Sequence, residues 1–448
     1  MEPDASLLLS CALRPELLAR GLQERLATEV ADWRGFTDKA SEDLALPLVH
    51  RSLPTFGNRL PAAVRAEIEL GYQASAAQNL RLAATLFQLD AAWFAPQGMR
   101  FAVVKGIAIA ARYYDGLAGR SCRDLDILVE PASFAATITH LVNTGFRLCR
   151  PFDLPVDARD HASHIQALSD LNREITFRSP PGDLIDVHQS LDLTGADFPT
   201  AALLDRTQTV RIAGKAFPTL STTDLFVFIC YHHSRHNWTR LHWIADIGEI
   251  AAAPDFDREA VHIAAQRCGM EKLVAACLEM PGLLAEAVAG GKPDHSSLAG
   301  RMTAECLATL QPGAESPMTI HHRRINDRAF RIGRWFEMTG EEWRQREGIR
   351  RRLRAAARSF IPSWQMYQTL PLPRGLRWLY VPLRIGTHLV TYTGLARIAG
   401  GGTTGKIGIG ASDCALPLPA SKIAEAPSEP AVKAEIKAQP FGDKPAGE

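Results

Sequence analysis

The sequence predicts an α/β (α+β) fold, in which a small mixed β-sheet core is flanked by N-terminal and C-terminal helical regions and followed by a disordered C-terminal tail. Helical apolar spacing dominates the first part of the chain and returns later, while short β-rich runs alternate with helical runs between them. Large apolar residues become scarce near the C-terminus. We therefore predict five segments: an N-terminal helical region (1–95), the core (96–195), a helical region (196–310), a basic C-terminal region (311–398) and the disordered tail (399–448).

The composition limits the classes of protein and partner. With 448 residues, 46% of them hydrophobic and 22% charged, the chain is long enough for two or three domains with a buried core. A net charge of +1 argues against a surface that coats nucleic acid. The eight cysteines form no CxxC pair, so we predict reduced thiols. With no signal-peptide pattern and no run of roughly 18 to 20 apolar residues, we predict a cytoplasmic protein without a transmembrane segment.

The individual elements follow from local patterns. The runs "LLLSCALRPELLARGLQERL" and "PAAVRAEIELGYQASAAQNLRLAATLFQLDAAWFA" have helical apolar spacing. In the core, "RFAVV" predicts a strand that ends at Lys105, "IAIAARYY" a helix, "DLDILVE" a strand, and "PASFAATITHLVNTG" a helix closed by Gly145. The β-rich runs "NREITFRS" and "DLIDVHQSL" flank "PPG", which predicts a hairpin. Residues 196–310 are predicted to be helical again.

Two acids stand at the start of the second predicted strand. Asp124 and Asp126 are two residues apart, so their side chains share one face of the strand. Two carboxylates held this close need a compensating cation, and a hard divalent ion such as Mg²⁺ is one. The alternative is a solvated strand start at which Asp124 pairs with Arg120 or Arg123.

The predicted hairpin carries a third acid. In "DLIDVH", Asp186 and His188 share a face opposite Ile185 and Val187. If this strand pairs with residues 124–129, three carboxylates lie together on one sheet face. Such a group suits a two-metal site, in which two ions roughly 3.5 to 4 Å apart clamp the attacking and leaving oxygens of a phosphoryl displacement.

These motifs resemble a known family. The stretch "VVKGIAIAARYYDGLAGRSCRDLDILVEP", followed by "LIDVHQSL", resembles the uncharacterised bacterial nucleotidyltransferases of the polymerase-β-like superfamily. Their pattern runs Leu-Lys-Gly, then Arg-x-x-x-Asp-Ile-Asp-Leu-Leu-Val, then Asp-Leu-His. The segment "CYHHSRHNWTRLHWIADIGEI" is similar to that family's helical His…Trp-x-Arg-Leu-x-Trp…Asp segment. The resemblance extends over about residues 5–260.

The resemblance implies roles for individual residues. Lys105 and Gly106 match the loop that receives the nucleotide phosphates, and Arg120 matches the nucleotide-binding arginine before the acids. Asp124 and Asp126 match the metal ligands. Asp186 matches the third catalytic acid, with His188 beside it either as a partner that orients an acid or as a histidine without a catalytic role. The loop departs from many relatives in having Ile107 after its glycine.

The function implied is Mg²⁺-dependent transfer of a nucleoside monophosphate from an NTP to an acceptor hydroxyl on a small molecule or protein. A two-metal site is expected. A non-catalytic nucleotide-binding or interaction protein that retains the fold is the alternative. RNA end addition is disfavoured, because the chain is near neutral and carries no evident RNA-binding module. Neither the acceptor nor the oligomeric state follows from these motifs.

The remaining patterns do not predict sites. The histidine pairs His232/His236 and His161/His164 lack an accompanying HExxH motif, so we expect packing or substrate contacts rather than zinc. The run "GGGTTGKI" has no Ser or Thr after its lysine and no helical pattern following it, so we predict no phosphate loop there. We interpret "REGIRRRLRAAAR" as a solvated helix face, and we expect "RGLRWLYVPLRIGTHLVTY" to pack against the helical domain.

Overall fold

A computed structural model describes residues 1–150, 161–192, 196–236, 238–311 and 364–384, together with positions 349, 353 and 362. The chain divides into two compact units, Met1–Gly402 and Thr403–Glu448. The second unit lies outside the described residues. So do the predicted tail, the "GGGTTGKI" run and most of the arginine-rich run.

The N-terminal part of the chain is helical, as predicted. An aspartate side chain, Asp32, starts the third helix by accepting hydrogen bonds from the backbone N–H groups of Arg34 and Gly35. The helices are α1 (Pro3–Ala12), α2 (Leu22–Glu29), α3 (Trp33–Glu42), α4 (Leu46–Ser52) and α5 (Ala62–Leu89).

The described residues contain one seven-stranded mixed sheet, which confirms the predicted fold class. Its strands are β1 (Phe101–Val103), β2 (Asp124–Val129), β3 (Arg147–Arg150), β4 (Glu174–Arg178), β5 (Leu184–His188), β6 (Gln208–Ile212) and β7 (Lys215–Thr219). Their order is β3-β4-β5-β2-β1-β7-β6. The pairs β2/β5 and β1/β7 are parallel, and the other neighbours are antiparallel. The predicted β4–β5 hairpin is therefore confirmed.

The remaining helices lie between and after these strands along the chain. The predicted alternation of strand, helix, strand and helix is observed as β1, α6, β2 and α7. The helices are α6 (Ile107–Tyr113), α7 (Pro131–Asn143), α8 (His161–Leu171), α9 (Thr200–Asp205), α10 (Thr222–Ser234), α11 (Leu241–Ala251), α12 (Arg258–Cys268), α13 (Glu271–Val288), α14 (Leu298–Ala308) and α15 (Trp364–Thr369).

The two faces of β2 belong to different hydrophobic clusters. Ile127 and Val129 pack in a cluster around the sheet and α7, whereas Leu128 packs in a larger cluster formed by the helices. Because side chains alternate along a strand, Asp124 and Asp126 lie on the same face as Leu128. The two acids therefore face the helical part of the protein.

One hairpin lies where the sequence analysis predicted helix. Strands β6 and β7 fall inside the segment 196–310 and pair through a tight turn at Ala213 and Gly214, both of which have positive φ. On β6, Val210 and Ile212 are buried while Arg211 is exposed, which is the alternation of a strand with one covered face. The strand is short and mostly polar and lies between helical segments, so its alternation was not recognised in the sequence.

The C-terminal segment packs differently from the prediction. Its aromatic residues Trp364, Tyr367 and Tyr380 are buried in the cluster around the sheet, not against the helical cluster. Arg377 Nη1 pairs with Asp170 Oδ2 of α8 at 2.5 Å, which attaches the segment to the sheet side of the protein. Trp378 is 65% exposed. Apolar contact with the sheet and its helices thus decides where this segment lies.

Two predictions from the composition concern membrane-spanning helices and the state of the cysteines. No helix within the described residues combines the length and apolar character that a bilayer crossing requires. The seven cysteines that the structure describes are free thiols, as predicted, and Cys414 lies outside the described residues.

Candidate active site

The register of three strands brings the predicted acids together. Asp126 on β2 lies beside Asp186 on the parallel strand β5. His188 lies opposite Glu174 on the antiparallel strand β4. The strand pairing that the sequence analysis assumed is observed, and Asp126, Asp186 and His188 form one buried group on the sheet.

Asp126 is the centre of this group and is inaccessible to solvent. Its Oδ1 lies 2.6 Å from Lys105 Nζ and 3.0 Å from His188 Nε2. The other ring nitrogen of His188, Nδ1, lies 3.5 Å from Glu174 Oε2. Lys105 therefore neutralises Asp126, and His188 lies between two carboxylates.

The charges in the group move the pKa values of the acids in opposite directions. Burial alone raises the pKa of Asp126, but Lys105 and His188 outweigh it and hold the pKa at about 2. Burial, together with repulsion from Glu174 and Asp124, raises the pKa of Asp186 to about 8 and outweighs the attraction of Lys105. Asp126 is thus ionised, while the charged form of Asp186 is disfavoured.

The same charges and the same burial also shift the pKa values of the two basic residues. Burial lowers the pKa of Lys105, but attraction to the carboxylates of Asp126, Asp124 and Asp186 raises it well above its ordinary value. The pKa of His188 is also raised, because Glu174 and Asp126 together outweigh burial. Lys105 is therefore the internal cation of the acid group.

The donor atoms fit a hard divalent cation. Oδ2 of Asp126 and Oδ1 of Asp186 are buried and have no hydrogen-bond partner among the described residues. Asp126, Asp186 and His188 each offer one ligand atom, and these atoms lie within 4.8 Å of one another. Unpartnered carboxylate oxygens cost free energy when buried, and a bound Mg²⁺ would relieve that cost. Asp124, predicted as a metal ligand, shares the strand face but falls outside this closest group.

Gly106 joins the loop after β1 to the acid strand. It has φ of +59° and forms the N-cap of α6. A Cβ atom at this position would lie 3.2 Å from the backbone carbonyl oxygen of Asp124. Both the left-handed backbone and the close approach require glycine. The loop that carries Lys105 is therefore held directly against the start of β2.

Replacing Gly106 with alanine is expected to lower the free energy of unfolding by about 1–3 kcal/mol, because the added methyl group combines backbone strain with a contact to backbone that cannot move easily. Denaturant unfolding measures the effect. The matched control is Gly98→Ala, since Gly98 has φ of +57° and no atom within 4 Å of the added Cβ. Equal losses in the two variants would show that the contact with β2 contributes nothing.

Arg120 lies in a different environment from the one predicted. Its guanidinium is 4% exposed and forms a bidentate pair with Asp246 of α11, with Nε to Oδ1 and Nη2 to Oδ2 both at 2.7 Å. Its Nη1 donates to the carbonyl oxygen of Ser121 at 3.2 Å. The nucleotide contact predicted for Arg120 would require these donors to be released, so the observed contacts favour a positioning role.

The network around Asp246 was not assigned from the sequence. Tyr114 Oη donates to Asp246 Oδ1 at 2.8 Å, and His233 Nε2 lies 3.4 Å from Asp246 Oδ2. The His…Trp…Asp segment contains both His233 and Asp246, but its spacing alone does not identify their partner. The network fixes the loop that leads into Asp124 against α11.

Of the other predicted histidines, those with described side chains (His164, His232 and His236) belong to no candidate metal group. His232 Nδ1 lies 3.2 Å from His233 Nδ1, and the rings of His233 and Trp243 stack with centroids 5.2 Å apart. His164 packs edge-on against Tyr367. Within the part of the chain that the structure describes, the one candidate metal group is that of Asp126, Asp186 and His188. The side chain of His161 lies outside the described residues.

Comparison with protein-family models identifies the family of this chain. A family model described as uncharacterised nucleotidyltransferase matches residues 29–286, which is more than half of the chain. The chain belongs to this nucleotidyltransferase family. It is accordingly a transferase enzyme whose general reaction is nucleotidyl transfer. The matched range includes the acid strands, the loop with Lys105 and the α11 segment.

Other comparisons add little. No curated protein matches the chain significantly. A solved structure of the lincosamide antibiotic adenylyltransferase LnuA with lincomycin bound is 12% identical. The alignment covers 42% of this chain and 95% of that one, with a TM-score of 0.22.

Proposed function

We propose that this nucleotidyltransferase is a cytoplasmic, Mg²⁺-dependent enzyme that transfers a nucleoside monophosphate from an NTP to a hydroxyl group of a small molecule or protein. One observation carries the metal dependence. Two buried carboxylate oxygens, Oδ2 of Asp126 and Oδ1 of Asp186, lack a hydrogen-bond partner among the described residues and belong to one compact donor group. Carboxylates with substrate phosphates are the ligands that Mg²⁺ prefers.

The metal would be held by Asp124, Asp126 and Asp186, with the NTP phosphates completing its ligands. Bound Mg²⁺ supplies charge neutralisation for an in-line displacement at the α-phosphate. His188 holds Asp126 in place through the bond to Oδ1. The ionised carboxylate of Asp186 accepts the proton of the acceptor hydroxyl as the new P–O bond forms and pyrophosphate leaves.

The loop after β1 receives the phosphates in this proposal. Gly106 lets the backbone approach the acid strand closely, since a Cβ atom added there would lie 3.2 Å from the Asp124 carbonyl oxygen. Lys105 Nζ, which lies 2.6 Å from Asp126 Oδ1, would supply a positive charge to a phosphate oxygen bound beside the carboxylates. Arg120 acts indirectly, because its pair with Asp246 fixes the loop that precedes Asp124.

The acceptor is proposed to be a small molecule or a protein rather than a nucleic acid. The net charge of +1 over 448 residues provides no general attraction for a polyanion. The direct experiment incubates the protein with Mg²⁺, a cell extract and each NTP labelled at the α-phosphate. We expect label from at least one NTP to enter an acceptor, with unlabelled pyrophosphate released. Label that stays in NTP with all four nucleotides would contradict the proposal and favour a non-catalytic nucleotide-binding protein.

A thermal scan tests nucleotide and metal together. We expect millimolar Mg²⁺ with the correct NTP to raise the melting temperature by several degrees, because a ligand that binds only the native state stabilises it by mass action. Mg²⁺ alone should have a smaller effect, since the phosphates supply several of its ligands. NTP with EDTA is the control. The same melting temperature under all conditions would argue against an Mg–NTP site.

A further inference from the structure

Two arginines beside the acid group lack acidic partners. Arg123 directly precedes Asp124 and is partly buried, yet it forms no hydrogen bond or ion pair with any residue that the structure describes. Arg240 is also partly buried. Among the described residues its polar contact is a long hydrogen bond from Nη1 to the carbonyl oxygen of Glu42, at 3.5 Å, and its guanidinium lies 6.0 Å from the centroid of the Trp243 ring.

Other arginines of this region are paired. Arg120 has both oxygens of Asp246 at 2.7 Å, and Arg112 lies 2.6 Å from Asp255 Oδ2. Burying a guanidinium without a counter-charge costs free energy, so proteins normally provide a carboxylate. The protein provides none within ion-pair distance of Arg123 or Arg240 in its described part.

The position of Arg240 adds to this cost. It is the N-cap of α11, a helix with no side-chain cap and no acid in its first turn. A cation at a helix N-terminus is disfavoured by the helix dipole, which prefers an anion there. Burial and repulsion from Arg123 lower the pKa of Arg240 to about 10. The helix dipole, the burial and the repulsion from Arg123 each favour a negatively charged ligand beside Arg240.

Both arginines lie near Asp124 at the start of β2. Arg123 is adjacent in sequence to Asp124. The negative charge of Asp124 acts to raise the pKa of both guanidinium groups. Helix α11 is fixed against the loop before β2 by the Arg120–Asp246 pair, so Arg240 at the start of α11 is held near the start of β2. Gly106 also lies close to the start of β2, since a Cβ atom added there would be 3.2 Å from the Asp124 carbonyl oxygen.

We propose that Arg123 and Arg240 bind the β- and γ-phosphates of the NTP and hold the pyrophosphate group as it leaves. This assignment rests on the proposed function. Guanidinium groups donate to phosphate oxygens in bidentate geometry and remain charged at neutral pH. A bound triphosphate supplies the counter-charge that both arginines lack, next to the carboxylates that hold its metal.

The test measures binding of inorganic tripolyphosphate with Mg²⁺ by titration calorimetry, because this probe contains the phosphate chain and no base. We expect Arg123→Gln and Arg240→Gln each to weaken binding by about tenfold or more, equivalent to ~1.4 kcal/mol per tenfold step. Arg240→Lys should fall between wild type and Arg240→Gln, since it keeps the charge and loses the bidentate geometry. The control is Arg211→Gln on the edge strand β6, which should bind as wild type does.

Label transfer by the same proteins separates this inference from the proposed function. If wild type transfers label and both glutamine variants bind tripolyphosphate as tightly as wild type, the arginines have another role and the inference is wrong. Unchanged tripolyphosphate binding with a raised KM for the acceptor would assign them to an anionic acceptor, which also overturns it. If wild type itself neither binds tripolyphosphate nor transfers label, the proposed function fails first. Melting curves show whether each variant is folded. If Arg240→Gln is not folded, tripolyphosphate binding by Arg240→Lys is compared with wild type instead.

Discussion

The Asp126→Asn variant is expected to lose at least about a thousandfold in the rate of nucleotidyl transfer, or ~4 kcal/mol of transition-state stabilisation. Asp126 carries one of the two unpartnered oxygens of the donor group and bonds to both Lys105 and His188. An amide cannot supply the negative charge that a divalent cation requires. The change is nearly isosteric, and Asp124 and Asp186 remain as counter-charges for Lys105, so the protein should remain folded.

Transfer of α-phosphate label measures this effect, and circular dichroism checks the fold. The matched control is Asp183→Asn, which changes another buried acid just before β5 whose side chain bonds to Gln78 and Thr85 instead of the acid group. The control should keep activity within a few-fold of wild type. Comparable activity in Asp126→Asn and wild type would remove Asp126 from the metal site.

The Asp246→Asn variant is expected to lose about 3–5 kcal/mol of stability, the range found when one partner of a buried ion pair is removed. Burial alone raises the pKa of Asp246, but Arg120 and His233 outweigh it and hold the pKa well below its ordinary value. The stabilisation is therefore present above the ordinary carboxyl pKa and is lost as the pH falls below it. At neutral pH the substitution leaves Arg120 buried without a counter-charge.

Denaturant unfolding at neutral pH measures the loss. Glu249→Gln on the same helix is the control, because Glu249 pairs with Arg14 and Arg51, which are about one-third exposed. Pairs with such exposure contribute less than about 1 kcal/mol. If both variants lost the same small amount, the Arg120–Asp246 pair would not be what holds α11 against the loop before Asp124.

The parts of the fold that local patterns determine were predictable. Alternating apolar residues in β2 and the "PPG" turn between β4 and β5 identify those elements without tertiary information. The spacing of Asp124 and Asp126 predicts a shared face. Once β5 is assumed to pair with β2, the position of Asp186 beside Asp126 follows as well.

The remaining features depend on contacts between distant residues. Arg120 and Asp246 are separated by 126 positions, so no local motif shows that this arginine already has a carboxylate partner. The β6–β7 hairpin is similarly obscured, because its strands are short and lie among helices. Glu174 was not assigned to the site either, since its relation to His188 depends on the register of β4 against β5.

The most direct test of the account is the position of the metal. Crystals grown with Mn²⁺ and a non-hydrolysable NTP analogue should show anomalous scattering within about 2.1 Å of Asp126 Oδ2 and Asp186 Oδ1, the distance typical of a small divalent ion and carboxylate oxygen. The triphosphate should lie beside the same peak. Bound nucleotide with no anomalous peak at these carboxylates, or a peak only at other residues, would contradict the metal-dependent transfer proposed for this protein.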